Sequence, residues 1–246
     1  MGAHVIKVGL SPIIIDLIAR KLIAGLVLNG AGIIHDTELA LVGQTSEEVE
    51  DEIKTGRFGM ARQTGESLNQ AISLGVGRGL GLGAAVADWL NASRPQFFDR
   101  SILTAAHVAG VPVLVFVAMG TDIIHMHPAV DPAAIGLGSH RDFLTLAGLV
   151  AGLEGGVYLN IGSAVILPEV FLKAFTLARN LGHQVNHITT VDLDFIRHYR
   201  PLTNVVHRPT TLGGQGFSLV GHHELMFPLL AAAWLEGLED SNAGSD

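Results

Sequence analysis

The stretch SILTAAHVAGVPVLVFVAMGTD, residues 101–122, decides how the chain is to be read. Its first 21 residues carry no charge and are long enough on paper to span a bilayer. His107, Gly110 and Pro112 interrupt it, so it divides into the end of a helix, a turn and a short β-branched strand, Val113 to Val117. That strand ends in Met119-Gly120-Thr121-Asp122, a turn rich in small and polar residues. The pattern of helix, buried strand and polar turn recurs on both sides. Ser11-Pro12 opens a helix with Ser as N-cap, carried by Ile14, Ile18 and Leu22 and stopped at Gly25. Leu26-Val27-Leu28 follows as a strand running into Asn29-Gly30-Ala31-Gly32. Helical patterns cover Ile34–Ala40, Glu47–Lys54, Ala61–Leu74 and a segment ending at Leu90. A helix through Phe143–Leu153 leads to the strand Val157–Ile161 and to Gly162-Ser163. Pro168 opens the next helix and Gly182 closes it, Val185–Thr190 reads as another strand, and a last helix covers His223–Leu238.

Short, wholly apolar strands separated by helices predict a parallel sheet buried on both faces, a doubly wound, Rossmann-like α/β fold. One domain over 1–238, with an acidic, disordered tail at 239–246, fits the length of 246 residues. Hydrophobic residues at 48% and charged residues at 15% exclude intrinsic disorder. A net charge of −8 and the lack of any basic run argue against a nucleic-acid partner. The acidic excess sits in two places: Glu47, Glu48, Glu50, Asp51 and Glu52, and Glu236, Glu239, Asp240 and Asp246. Without those nine the chain holds 14 acids against 15 bases, so its body is near neutral. With no cysteine, thiolate chemistry and disulfides are excluded. No basic segment precedes the first apolar stretch, and no cleavage pattern follows it, so the expectation is a cytoplasmic protein without a membrane partner.

In doubly wound folds ligands bind beyond the carboxyl ends of the strands. Small residues there let backbone N–H groups approach a phosphate at a helix start. Gly30-Ala31-Gly32 and Gly162-Ser163 have that arrangement, and Thr190 is expected at a third strand end; in each case the glycines can equally serve the turn alone. The run Gly75, Gly77, Gly79, Gly81, Gly83 has no strand before it and reads as close helix packing or a loop. Twelve histidines raise the question of a metal. His125-Met126-His127 would point both rings to one side on an extended segment, but no spaced ligand set completes a first shell, so no metal is expected. Asp36 is either close to a bound ligand or a carboxylate placed for a helix dipole. His222-His223 before the last helix is either a polar cap or a ligand contact. No GxSxG elbow occurs and no serine stands in a triad setting.

The order of these motifs resembles deoxyhypusine synthase and its homologues over Ala3 to about Ala233, although that family usually carries further N-terminal sequence. His4-Val5-Ile6-Lys7-Val8-Gly9 is similar to the family's SNxxSSG segment, and Asn29-Gly30-Ala31-Gly32-Ile33-Ile34-His35-Asp36 to its TTAGGxEED segment. Val111-Pro112-Val113 leading to Thr121-Asp122 resembles its IPV and TDG stretch. Gly162-Ser163-Ala164-Val165 stands where the family has GGGV, Ile188-Thr189-Thr190 where it has INT, and Phe227-Pro228-Leu229-Leu230 matches its FPLL. The resemblance implies an NAD-binding, Rossmann-like fold and a homotetramer with sites between subunits. It implies that Gly30, Ala31, Gly32, Asp36, Gly162, Ser163, Thr190 and His222 surround the cofactor.

The departures from the family bear on function. Its imine-forming lysine lies in a SWGK segment near the last helix, whereas the last lysine here is Lys173. The segment instead reads Thr203-Asn204-Val205-Val206-His207-Arg208-Pro209. His127 falls where the family has a polyamine-binding aspartate, His35 where it has a glutamate, and His222 where it has an aspartate near the nucleotide. Carboxylates hold a desolvated polyamine because each cationic amine needs a charged partner. With histidine in their place and Arg208 nearby, the expected substrate is small and neutral or anionic. Asp122, His125, His127 and His207 are then the candidate acid/base or orienting residues. A non-catalytic nucleotide-binding or regulatory oligomer, and a histidine-metal hydrolase on the same scaffold, are the alternative readings.

Overall fold

A computed structural model of the chain describes residues 1–45, 54 and 62–243. The expected helix Glu47–Lys54 therefore lies, apart from Lys54, outside the described residues. Five strands alternate with helices: β1 Leu26–Asn29, β2 Val113–Phe116, β3 Val157–Ile161, β4 Thr189–Asp194 and β5 Gln215–Val220. The helices are α1 His4–Lys7, α2 Ser11–Ala19, α3 Gly30–Val42, α4 Arg62–Gly77, α5 Leu82–Ser93, α6 Ile102–Ala109, α7 Pro132–Ala151, α8 Ile166–Asn180 and α9 His223–Ala243. The expected alternation of strand and helix holds, and every strand pairing is parallel.

The strands form two ladders where one sheet was expected. β1 pairs with β2, and β3, β4 and β5 pair in that order. Between the ladders lie Met1 and Gly2. The Met1 nitrogen donates to the Val27 carbonyl at 2.5 Å, and the Gly2 N–H donates to the Ile161 carbonyl at 2.8 Å. The chain thus winds outward in one direction from β1 to β2 and in the other from β3 to β5. The seam between β1 and β3 is the point of reversal. α8 packs across it, on β1 and β2 as well as under β3, where Phe171 stacks on Tyr158 at 3.7 Å. Two apolar clusters fill the interior, one around Ile6, Ile14, Leu28 and Leu90, the other around Leu146, Phe171 and Val205.

Three boundaries differ from the sequence reading. α2 starts at Ser11 itself, whose side chain is buried and does not cap, because Leu10 is already in the helical region. The strand expected over Val185–Thr190 is β4, four residues later. Residues 185–188 instead run irregularly, and the Glu154 carboxylate accepts from the N–H groups of Asn186 and His187 at 2.5 and 3.2 Å. Thr190 accordingly sits near the amino end of its strand. The last helix continues to Ala243, so residues 239–243 are helical rather than a disordered tail. β5 had no counterpart in the sequence reading.

Within the glycine run, Gly75, Gly81 and Gly83 serve packing. A Cβ at Gly75 would lie 2.3 Å from the Ala85 Cβ, and one at Gly83 would lie 2.1 Å from the Val113 carbonyl oxygen. α5 can therefore approach α4 and β2 only with glycine at these places. Asp142 of α7 anchors the same junction. It is 2% exposed and accepts from Gly83 N–H at 3.2 Å and Val115 N–H at 2.9 Å. A further bond comes from Leu82 N–H, and burial pushes its carboxyl up to about 7. No helix among the described residues is long and apolar enough to cross a membrane.

Candidate functional site

β1 runs into α3 without an intervening loop. Asn29 is extended and its side chain accepts from Gly32 N–H at 2.9 Å, capping the helix that begins at Gly30. Gly30 is needed because Asp122 lies directly above it: a Cβ at residue 30 would come 2.1 Å from Asp122 Oδ2. The Asp122 carboxylate accepts from the Ala31 N–H, and burial raises its pKa above the ordinary aspartate value, opposed by His125 and these bonds. The glycine turn that sequence reading offered to a phosphate is thus filled by the protein's own carboxylate.

His125 belongs to a 3-10 turn, Ile123–Met126, instead of the extended segment expected for His125-Met126-His127. The turn is tied to α4 by Asn69, whose amide donates to the Ile124 carbonyl at 3.1 Å. The His125 Nδ1 accepts from Gly120 N–H at 3.1 Å and Asp122 N–H at 3.3 Å. With Nδ1 accepting, the ring proton sits on Nε2. Nε2 is buried, has no hydrogen-bond partner and lies 3.9 Å from Asp122 Oδ2. His127 faces elsewhere, with its ring against Gly65 of α4 and Nδ1 accepting from Ala129 N–H at 3.2 Å. The two rings do not converge. No group of three or more His, Asp or Glu among the described residues is placed to hold a metal.

On the other side of the seam, Gly162 ends β3 with φ +62°, a conformation that favours glycine. A Cβ there would meet the His223 ring at 2.8 Å. Ser163 is buried, and its carbonyl accepts from Asn160 Nδ2 at 2.9 Å. No side chain caps α8.

Around this turn the structure gathers His223 with residues that the sequence reading missed, Asp192, Asp194 and His198. Asp192 and Asp194 project from β4, and the Asn160 amide donates to Asp192 Oδ1 at 2.7 Å. Burial raises the Asp192 carboxyl, with Asp194 adding to the shift. Asp194 has His198 Nε2 3.8 Å from one oxygen and His223 Nε2 4.0 Å from the other. His223 Nε2 also lies 3.2 Å from the Leu193 carbonyl, which places its proton there and leaves Nδ1 bare, buried and unpartnered. The His4 ring tilts against His223 at 5.3 Å. His222 is exposed and stacks on Phe195 at 6.5 Å, at the rim of this cluster. The Asp-x-Asp of β4 was the available signal, hidden by placing the strand four residues early.

Three expected site residues stand apart. Asp36 is fully buried and accepts from Ser101 Oγ at 2.5 Å, Ile102 N–H at 2.9 Å and Leu103 N–H at 3.1 Å, so it completes the start of α6, whose N-cap is Ser101. Burial pushes its carboxyl up to about 6. The dipole reading of Asp36 applies, at another helix than its own. Thr190 donates to the Val205 carbonyl at 2.7 Å and holds a π-helical turn, Leu202–His207, against the sheet. His207 is exposed on that turn, which packs on Thr190 and Gly216 near the amino ends of β4 and β5, away from Asp122.

The fold and site define an α/β protein with parallel strands, whose carboxyl edge carries two glycine-containing turns into helices and two histidine–carboxylate clusters flanking a seam. No protein-family profile matches the chain, and no curated protein matches it. Among solved structures the fold is similar to that of a conserved protein from Methanococcus maripaludis S2, provisionally assigned as LOR/SDH. The two share 16% identity with a TM-score of 0.59, over 97% of this chain and 61% of that one. The chain thus spans about three fifths of the length of that protein, and the likeness is one of fold.

Proposed function

We propose that this chain is a deoxyhypusine synthase-like protein of Rossmann-like type that binds NAD or a related nucleotide and acts on a small, neutral or anionic substrate. The observation that carries the reading is the seam between β1 and β3. There the strand order reverses; β1 passes directly into α3 at Gly30, and β3 passes through the turn at residues 162–165 into α8 at Ile166. Crevices at such reversals are where open α/β sheets take nucleotides. The polar atoms around it fit a ligand: His125 Nε2–H, His223 Nδ1 and Asn160 Oδ1 are buried without partners. Asn29, Gly30, Ala31, Gly162 and Ser163 would hold the nucleotide, which supplies hydride transfer. The chain's own part is to orient the substrate and move its proton. Asp122 and His125 provide an acceptor and a donor on one side, and His223, set by the Leu193 carbonyl, provides a bare Nδ1 on the other.

With no lysine beyond Lys173, imine chemistry at the family's position is absent from this reading, and so is a polyamine substrate. A homo-oligomer is part of the proposal. Leu225 and Leu229, one turn apart on α9, are 68% and 66% exposed, and Tyr199 is exposed nearby in sequence order to Phe195 and Ile196. Calorimetric titration tests the reading. NAD should bind and raise the melting temperature while spermidine gives no heat; tight spermidine binding, or no response to NAD, would overturn it. The same lack of a lysine favours a second reading, a regulatory oligomer that binds nucleotide without chemistry. In that case NAD raises the melting temperature but no reduced cofactor accumulates with any substrate.

A further inference from the structure

Asp122 serves two helix starts, as N-cap of its own 3-10 turn Ile123–Met126 and as acceptor for Ala31 N–H at the start of α3. A side chain that closes a helix N-terminus commonly belongs to the residue just before it, as the Asn29 amide and the Asp131 carboxylate do here for their own helices. Asp122 instead arrives from the far end of β2, on a turn whose Met119, Gly120 and Thr121 are all exposed. It sits on α3 although Asn29 already satisfies Gly32 N–H. It also leaves a neighbour unsatisfied. The two N–H bonds into Nδ1 hold the His125 ring with Nε2–H directed at the same place, yet the carboxylate stops 3.9 Å short of it. A buried donor without an acceptor is costly, and a larger or differently placed oxyanion would relieve that cost. The contrast with Asp36 is direct, since all of that carboxylate's neighbours are satisfied by it at 2.5 to 3.1 Å.

We propose that Asp122 is a displaceable plug. Its carboxylate occupies an oxyanion site made by the α3 N-terminus, the Ala31 N–H and the His125 Nε2–H, and a phosphate or carboxylate group of the ligand enters by replacing it. The inference rests on the nucleotide reading for its biological ligand, and the site itself is defined by the geometry. A four-oxygen or two-oxygen anion at this position accepts from Ala31 and reaches His125 together, which Asp122, tethered to the β2 turn, does not. Displacement moves the Asp122 side chain toward the exposed residues of its own turn. Burial already raises the pKa of that carboxyl, so leaving the helix end for water is favoured by solvation. The turn can adapt through Gly120, which has φ +94°. In the resting protein, then, the ligand competes with an internal anion.

The test is titration calorimetry of wild type, Asp122→Ala, and the double variant Asp122→Ala with Gly30→Ala, with inorganic phosphate and malonate titrated separately. Removing the plug should tighten at least one of the two anions tenfold or more, and the anion that gains identifies the ligand group. The methyl of Gly30→Ala falls where the Asp122 oxygen lay, so it should abolish the gain. The Ala31 amide proton should shift on anion addition in Asp122→Ala. Should that variant fold poorly, Asp122→Asn, which keeps a neutral cap, should show a smaller gain in the same direction. No gain in either variant, or a gain that survives Gly30→Ala because the anion sits at the uncapped α8 start, would overturn the proposal. The two readings separate cleanly. A wild type that binds NAD with an affinity unchanged by Asp122→Ala keeps the nucleotide and removes the plug. A wild type that ignores NAD while Asp122→Ala gains phosphate does the opposite.

Discussion

Asp142→Asn isolates the energetic role of one buried carboxyl. In the folded chain this group titrates at about 7 against an ordinary value of 3.8. Because the folded state holds the proton more tightly than the unfolded chain, its contribution to stability is fully present below 3.8. It is then lost as pH rises through about 7. The full span is about 4 kcal/mol, and the part between pH 5 and pH 8 is about 2.5 kcal/mol. Asparagine has no such titration. It offers one acceptor oxygen, so its NH2 group must face one of the N–H donors of Leu82, Gly83 or Val115, which costs about 1–3 kcal/mol. Urea denaturation of both proteins at pH 5 and pH 8 should therefore show the variant less stable at pH 5. The gap should narrow by about 2.5 kcal/mol at pH 8, closing or reversing. Taking the difference between the two proteins removes every other titrating group, Asp36 included. Parallel pH profiles would refute the reasoning, since they would mean that Asp142 is ionised throughout and is paid for by its three donors.

Asp36→Ala leaves the Ser101 hydroxyl and the N–H groups of Ile102 and Leu103 without an acceptor in the interior. It should cost about 3 kcal/mol or more by urea denaturation. Gly83→Ala places a methyl 2.1 Å from the Val113 carbonyl, a backbone atom with little room to move, and should lower stability by about 1–3 kcal/mol. Gly77→Ala, in the same run but with open space around its Cβ position, should by comparison be neutral or stabilising in a melting experiment. Leu225→Glu with Leu229→Glu should shift the light-scattering mass to that of a smaller assembly while leaving the far-ultraviolet spectrum unchanged; an unaltered mass would exclude this face from the interface.

What the sequence made legible follows from how each segment solves its burial. β1, β2 and β3 announce themselves because their side chains are mostly apolar and their ends are marked by Gly110, Pro112, Asn29 and Gly162. β4 does not, because Thr189-Thr190-Val191-Asp192-Leu193-Asp194 alternates polar and apolar residues as a solvent-facing strand would. Its polar residues are in fact buried, Thr190 against the Val205 carbonyl and Asp192 against Asn160. A shift of four residues in that one element put Thr190 at the wrong end of the sheet and concealed Asp194 and His198, and with them the partner of His223. Asp122 and His125 were found because they directly follow a well-marked strand. Their actual relation to Gly30 was beyond reach, since it depends on how the turn after β2 folds back over the start of α3. Asp36 misled for a similar reason: its partners are 65 to 67 residues away in the chain.

The seam between the two ladders also has a mechanical meaning. Hydrogen-bonded strands make each ladder a stiff plate, and no ladder bond crosses from β1 to β3. The two ladders are joined there by two bonds from Met1 and Gly2, by the side chains of α8 and by the apolar cluster that holds Leu28 and Val115 together with Ile161 and Leu193. The seam is consequently the one line in the described part of the sheet region where the two ladders are held by packing and two isolated bonds in place of a backbone ladder.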